Sequence, residues 1–267
     1  MQKQNCRPIN KSRPIMPFRL SKPSFQSLLV ASEVNGLKLS NATAFVATAT
    51  SGLAFLITNR HVVTGRNQET NDILSTTGAI PDTLVISHNS KAGLGEFRNK
   101  QEKLYVNGLP RWIEHPTRGP SVDLVALPLS DCVDIELYPY RAEYFAHQYI
   151  EPSSKISVIG FPFGEKTGPS FAVWATGFVA SEPEIDHGGK PMFLIDCRTR
   201  QGQSGSPVIT YQSNGGTFTH DKGTTVSAPT MRLLGIYSGR INRDSDIGIV
   251  WKAYAIAELI DYACAQL

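Results

Sequence analysis

Several absences narrow what this chain can be. It has no run of about 18 apolar residues, so the sequence predicts no membrane-spanning helix. Its net charge of only +3 does not indicate a nucleic-acid partner. Four cysteines, Cys6, Cys132, Cys197 and Cys264, are widely scattered, without CxxC spacing or a neighbouring histidine. Neither a zinc site nor a dense disulfide framework is therefore predicted, and we expect no metal and no cofactor.

The N-terminal segment contains no acidic residue before Glu33, although it carries several lysines and arginines. It has no apolar core of the kind that a secretory signal requires. Prolines before residue 24 disfavour a regular helix. We expect residues 1–24 to form a flexible basic arm and residues 25–267 to form the folded unit. A cytoplasmic location is expected, with an organellar location through a basic transit segment as the alternative.

The rest of the chain predicts an all-β fold. Its 267 residues include 22 Gly and 17 Pro, and short β-branched runs alternate with turn signals. Near the C-terminus, apolar residues at 255, 256, 259, 260 and 263 have helical spacing, which predicts a helix over 253–266. This pattern is typical of antiparallel β-barrels or sandwiches with one closing helix. A division between two halves is expected near residues 130–153.

Three residue types in three settings suggest acyl transfer. Ser204 lies between Gly202 and Gly205 in a loop before an apolar β run, which favours an exposed hydroxyl. A serine hydroxyl needs a base to take its proton, and histidine titrates near neutrality. His61 follows a β run, and Asp123 opens another apolar run, where a buried carboxylate would orient the imidazole. The order along the chain is His, Asp, Ser.

Other histidines are weaker candidates for this role. His115 is closer in sequence to Asp123, but it lies in a segment rich in Pro and Gly without a preceding β hairpin. The remaining ones, His88, His147, His187 and His220, lie in polar segments and are expected to face solvent.

Four strings together resemble the trypsin-like, chymotrypsin-fold serine proteases: TNRHVV at 58–63, SVDLVAL at 121–127, VIGFPFG at 158–164 and GQSGSPV at 202–208. They are most similar to the bacterial Deg-type and glutamyl-endopeptidase branches, over about residues 37–262. The resemblance implies two antiparallel six-stranded β-barrels with the active site between them. It also implies that His61 is the general base, Asp123 its orienting partner and Ser204 the nucleophile. The oxyanion hole would consist of the N–H groups of Gly202 and Ser204.

Departures from the family pattern concern mainly the substrate pocket. Gln203 stands where the family usually has Asp or Asn, and Tyr237 stands where the glutamyl branch has histidine. The resemblance places the pocket for the residue before the scissile bond at Arg198, Tyr237, Ser238, Gly239 and Arg240. No acidic residue stands at the pocket floor, and Arg198, Arg200 and Arg240 have no obvious carboxylate partner in sequence. Two alternatives follow: an acidic substrate side chain bound by these arginines, or solvated arginines beside a pocket for small or apolar residues.

The function expected from the resemblance is hydrolysis of peptide bonds by a serine endopeptidase, with a protein or peptide substrate and neither nucleic acid nor membrane as partner. The alternative is a catalytically silent protein that uses the same fold for binding. An α/β-hydrolase is disfavoured, because such enzymes run Ser, Asp, His and place a helix after the serine, whereas β residues follow Ser204 here.

Overall fold

The structure is a computed structural model that describes residues 20–143, 150–219, 225–242 and 244–266. Most of the predicted basic arm lies outside these ranges. The described chain begins with a single helical turn, α1 (Pro23–Gln26), and ends with α3 (Ala253–Cys264). Within the described ranges, none of the helices combines the length and apolar character needed to cross a bilayer.

The first half is built around a sheet in the strand order β10-β4-β1-β2-β3-β9-β8, in which all neighbours are antiparallel. In addition, β5 pairs with β4 antiparallel and β11 pairs with β2 parallel. A separate two-stranded ribbon pairs β6 with β7. The short helix α2 (Arg60–Thr64) follows β3 directly. The strands are β1 (Ser27–Val34), β2 (Leu37–Thr48), β3 (Ala54–Thr58), β4 (Thr83–Ser90), β5 (Phe97–Lys103), β6 (Tyr105–Val106), β7 (Leu109–Pro110), β8 (Ile113–Glu114), β9 (Val125–Leu127), β10 (Ile135–Glu136) and β11 (Tyr140–Arg141).

The second half is a closed barrel in the order β12-β13-β14-β17-β16-β15. All its strand pairs are antiparallel. Inward-facing side chains of these strands form a core of their own, which includes Val158, Ile195 and Val250. The strands are β12 (Lys155–Gly160), β13 (Val173–Val179), β14 (Met192–Asp196), β15 (Pro207–Thr219), β16 (Thr225–Arg240) and β17 (Ile247–Lys252).

The two halves share a further core that holds them together. This cluster joins Phe45 and Ile57 of the first half to Ile159 and Ile209 of the second. Helix α3 packs into the same cluster, and its predicted apolar positions are all fully buried: Ala255, Ile256, Leu259, Ile260 and Ala263. Burial of this stripe is what holds the helix across the junction.

The predicted all-β, chymotrypsin-like fold with a C-terminal helix is confirmed. The six-stranded barrel is present in the second half, whereas the main sheet of the first half has nine strands in the described chain rather than six. Part of the difference lies in the predicted division at 130–153, because β10 and β11 in that segment pair with β4 and β2. The chain therefore returns to the first half before β12 begins the second.

Candidate active site

The three predicted catalytic residues lie at the ends of elements on both sides of the junction. His61 is in the first turn of α2, Asp123 lies in the bend before β9, and Ser204 lies in the loop before β15. Strand β3 pairs with β9, with Thr58 opposite Val125. This register brings the end of β3 beside the start of β9, so that His61 and Asp123 meet.

His61 contacts the Asp123 carboxylate through two groups. Its Nδ1 lies 2.6 Å from Asp123 Oδ2, and its backbone N–H donates to Asp123 Oδ1 at 2.9 Å. Asp123 is fully buried, and 19% of the His61 side chain is exposed. An ionised carboxylate only accepts hydrogen bonds, so Nδ1 carries the proton and Nε2 of the neutral ring is free to accept one.

Opposing effects act on the pKa values of this pair. Burial by itself lowers the pKa of His61, but the charge of Asp123 and its hydrogen bond outweigh burial and raise that pKa above 6.5. Burial raises the pKa of Asp123, but the charge and hydrogen bonds of His61, together with the Ser238 hydroxyl, outweigh it and lower that pKa. Asp123 is therefore ionised at neutral pH, as an orienting carboxylate must be.

Ser204 faces the same cleft as His61. Both residues line a cavity of about 300 Å³ between the first sheet and the serine loop. The Ser204 hydroxyl donates to the carbonyl oxygen of Ser238 at 2.9 Å. The structure thus brings the three predicted residues together, with the Ser204 proton directed at a backbone carbonyl.

The backbone of the serine loop is fixed by glycines in left-handed conformations. Gly202 has φ +94° and Gly205 has φ +86°. A Cβ at Gly205 would lie 1.9 Å from the carbonyl oxygen of Thr43, and one at Gly202 would lie 2.3 Å from the carbonyl oxygen of Phe161. Both positions therefore require glycine for conformation and for space.

The predicted oxyanion hole uses backbone N–H groups of this loop. Within the described chain, neither Gly202 N–H nor Ser204 N–H donates to a backbone carbonyl, whereas Gln203 N–H donates to the carbonyl of Arg200 at 3.1 Å. The Gln203 side chain also holds the loop, because its Oε1 accepts from the N–H of Arg200 at 2.7 Å. Two donors are therefore available beside Ser204 for a developing negative charge.

Three arginines at or beside the predicted substrate pocket are exposed, and Arg198 and Arg200 share an acidic partner. Asp246 lies 3.6 Å from Arg198 and 3.6 Å from Arg200, measured from carboxylate oxygen to guanidinium nitrogen. The expectation that no carboxylate opposes them is therefore wrong, because Asp246 is distant in the sequence but lies beside β14. The Arg198 side chain is 83% exposed, and Arg240 is also exposed.

The other predicted pocket residues lie near the C-terminal end of β16. Tyr237 is buried in the barrel core, and its hydroxyl is hydrogen-bonded to that of Thr199. Its ring packs against Gly248, where a Cβ would lie 2.8 Å from the ring. Ser238 donates its hydroxyl to Asp123 Oδ2 at 2.5 Å, while a Cβ at Gly239 would meet open space. Ser238 thus stabilises the Asp123 carboxylate by a direct hydrogen bond.

One of the other histidines, His88, differs from the expectation that it faces solvent. His88 is 1% exposed inside β4, and burial lowers its pKa to about 4. His115 is 2% exposed, and its Nε2 lies 3.1 Å from Glu258 Oε2 of α3. His115 therefore contacts α3 and is separate from the Asp123 carboxylate. His187 is exposed, as expected, and His147 and His220 lie outside the described residues.

Sequence reasoning missed two buried polar residues that position the site. Asn59 donates from Nδ2 to the carbonyl of Asp123 at 2.8 Å. Thr43 donates its hydroxyl to the carbonyl of Gly202 and its N–H to the carbonyl of Ser204, both at 2.9 Å. Asn59 is next to the histidine string and could have been suspected. Thr43 lies in a run of β-branched and small residues, and nothing in that run distinguishes it.

The fold agrees with the comparison with protein families. The model of the trypsin-like peptidase domain matches residues 42–215, and the chain belongs to that family, a family of serine peptidases. The search of curated proteins gave no match.

The chain is also similar to several solved structures that are distant in sequence. A thermostable serine protease, AL20, from an extremophilic microorganism is 12% identical with a TM-score of 0.51, over 92% of this chain and 100% of that one. The serine endoprotease from Yersinia pestis is 12% identical with a TM-score of 0.51, over 92% of this chain and 69% of that one. The Rv3671c protease of M. tuberculosis, in an inactive form, is 18% identical with a TM-score of 0.45, over 90% and 89%.

Proposed function

We propose that this peptidase is an endopeptidase in which Ser204 attacks the peptide carbonyl, His61 acts as general base and Asp123 orients the histidine. The observation that carries the proposal is the 2.6 Å contact between His61 Nδ1 and a fully buried, ionised Asp123 on the cleft that also holds Ser204. This contact leaves Nε2 of His61 as the acceptor that a serine nucleophile needs.

The proposed reaction has two stages, acylation of Ser204 and hydrolysis of the acyl-enzyme. Rotation of the Ser204 side chain away from the Ser238 carbonyl turns its hydroxyl toward His61. His61 Nε2 takes the hydroxyl proton while Oγ bonds to the substrate carbonyl carbon, and the N–H groups of Gly202 and Ser204 receive the oxyanion. The C–N bond then breaks, and His61 gives its proton to the leaving amine. Water repeats the sequence on the acyl-enzyme, which releases the acid and restores Ser204.

For the residue before the scissile bond, we propose a small uncharged side chain. Arg198 and Arg200 are exposed and share Asp246, and an exposed ion pair is worth at most about 1 kcal/mol. They are therefore poor anchors for an acidic substrate side chain. The buried ring of Tyr237 occupies space behind Ser238, which favours a shallow pocket.

One observation favours the silent alternative. The Ser204 hydroxyl is hydrogen-bonded to the Ser238 carbonyl, so its proton is not directed at His61. If that bond persisted when a substrate was present, Ser204 would not be activated, and the chain would act as a binding protein on a protease fold.

A fluorophosphonate probe tests the proposal, because it labels only an activated serine. We expect one phosphonyl group on the full chain, mapped by peptide mass spectrometry to Ser204. Labelling should be lost in Ser204→Ala and His61→Ala. A matched control is Ser206→Ala, which removes a fully buried serine of the same loop and should retain labelling. An unlabelled wild-type chain, with folding verified, would favour the silent alternative.

A further inference from the structure

We propose that the cleft beside His61 is a binding pocket for an uncharged, apolar side chain of the substrate residue that follows the scissile bond. The inference rests on the proposed endopeptidase function and adds a substrate preference on the leaving-group side. The cavity has a volume of about 300 Å³. Its lining combines apolar and uncharged polar side chains. The apolar ones are Leu39, Ala42, Val62, Leu74, Ala79 and Pro81, and the polar ones besides His61 and Ser204 are Ser32, Ser40, Asn41, Ser75 and Gln201.

The position of the cleft assigns it to the leaving group. It is lined by His61, Gly202 and Ser204 and otherwise mainly by residues of the first half. None of the five residues predicted to bind the side chain before the scissile bond lines it. His61 must hand its proton to the leaving amine, so the chain beyond the scissile bond emerges next to His61. The cleft is therefore on the side where the leaving residue lies.

The chemical character of the walls selects the ligand. Apart from His61, no ionisable side chain lines the cleft. The Ser32 hydroxyl, which also lines it, donates to the carbonyl of Val62 at 2.9 Å and is engaged. A charged side chain entering this space would lose water without gaining an opposite charge, whereas an apolar one would gain from burial.

The outer wall is anchored to the catalytic helix. Gly65 ends α2 with φ +65°, and its N–H donates to the carbonyl of His61 at 2.9 Å. The carbonyl of Gly65 in turn accepts from the N–H of Leu74 at 2.8 Å. A Cβ at Gly65 would lie 2.5 Å from the ring of Pro81, so the two ends of the loop that carries Leu74 pack together. These contacts fix the position of the loop that carries Leu74 relative to His61.

Partitioning of the acyl-enzyme tests this pocket directly. The full chain is acylated with the p-nitrophenyl ester of N-acetyl-alanine, and amines then compete with water for the acyl group. The amines are glycinamide, leucinamide, glutamic acid amide and lysinamide, and the products are measured by chromatography. We expect leucinamide to capture the acyl group at least about tenfold better than the other three. The ratio of acyl capture by the different amines is independent of how fast the acyl-enzyme forms. The same ratio can therefore be measured for a variant that yields less folded protein.

Two variants place the preference in this cleft. Ala79→Trp fills the pocket and should reduce leucinamide capture to the level of glycinamide. Leu74 is 52% exposed, so Leu74→Lys introduces a positive charge at the rim and should reduce the preference for leucinamide over glutamic acid amide by up to about fivefold. The control is Leu109→Lys, the same substitution at an exposed leucine that does not line the cleft, and it should keep the wild-type ratios.

The outcomes separate the inference from the function on which it rests. Absence of any turnover that depends on Ser204 would overturn the proposed endopeptidase function, and the pocket assignment with it. Ester turnover with equal capture of all four amines, or preference for a charged amine, would overturn the pocket alone. Wild-type ratios in both Ala79→Trp and Leu74→Lys would also overturn it.

Discussion

Ser204 and Ser238 are joined by a hydrogen bond in which the hydroxyl of the first donates to the backbone carbonyl of the second at 2.9 Å. Ser238 also donates its own hydroxyl to Asp123. Ser238, near the C-terminal end of β16, thus contacts both the proposed nucleophile and the carboxylate. The backbone contact holds the Ser204 hydroxyl, while the side-chain contact stabilises the charge of Asp123.

Removal of the Ser238 hydroxyl should separate these two contacts. Ser238→Ala retains the carbonyl that accepts from Ser204 but deletes a hydrogen bond to a buried carboxylate, worth about 1.5–3 kcal/mol. We expect the pKa of Asp123 to rise and kcat/KM for a peptide substrate to fall by roughly tenfold or more. Ser121→Ala, which removes a hydroxyl that donates to the Arg118 carbonyl, is the control. Equal kcat/KM in the two variants would show that the Ser238 hydroxyl does not support the site.

The pH profile should report the raised pKa of His61. Protonated His61 cannot accept the Ser204 proton, so kcat/KM rises as pH increases through the pKa of His61. Because Asp123 holds that pKa above 6.5, the midpoint should lie above 6.5. In Asp123→Asn the negative charge is lost, so the midpoint should move to lower pH while the rate falls by a factor on the order of 10⁴. An unchanged midpoint in this variant would argue against the ion pair.

Two glycine substitutions separate conformational strain from steric overlap. Gly36 and Gly205 have similar positive φ values, +76° and +86°, but a Cβ at Gly36 would meet nothing within 4 Å. Gly36→Ala should lower the free energy of unfolding by about 1–2 kcal/mol. Gly205→Ala also drives a methyl group into Thr43, so its cost should be roughly 3 kcal/mol or more, with loss of activity. Chemical denaturation measures both, and equal losses would contradict this account of the serine loop.

Substitution of His61 and substitution of His115 should have different effects. His61→Ala is expected to lower turnover by a factor on the order of 10⁶. His115→Ala breaks a contact with Glu258 that links the first half to α3, so we expect a stability loss of about 1–3 kcal/mol with turnover retained. Peptide hydrolysis and denaturation are measured for both variants. Loss of turnover in folded His115→Ala, with His61→Ala active, would reverse the assignment.

The sequence predicted the site where the chemistry itself constrains residue types. His61, Asp123 and Ser204 come from short strings with fixed settings. In the structure His61 and Ser204 line one cleft, and Asp123 is buried in contact with His61. The C-terminal helix could also be predicted from the sequence, because its buried apolar residues recur at helical spacing. Strands at the side of the first sheet carry less signal in the sequence. Strand β5 (Phe97–Lys103) is largely polar and pairs with β4, so hydrophobicity does not mark it.

Contacts between distant segments could not be predicted from local pattern. Asp246 lies beside Arg198 and Arg200 only because β17 returns beside β14. Thr43 reaches the serine loop because the shared core brings β2 against the second half. His88 lies in a polar stretch, yet its strand is covered by neighbours and the ring is buried. In each case the partner is set by topology.

The central claim is that Ser204 carries the acyl group during turnover, and an acid-quenched intact-mass measurement tests it most directly. The full chain is mixed with a peptide ester, quenched within the first turnovers, weighed and then mapped after digestion. The account predicts a species heavier by one acyl group, located on Ser204, that is absent in Ser204→Ala and decays as product appears. Product formation by the wild-type chain without an acylated species in rapid-quench samples, or with the acyl group on another residue, would contradict it.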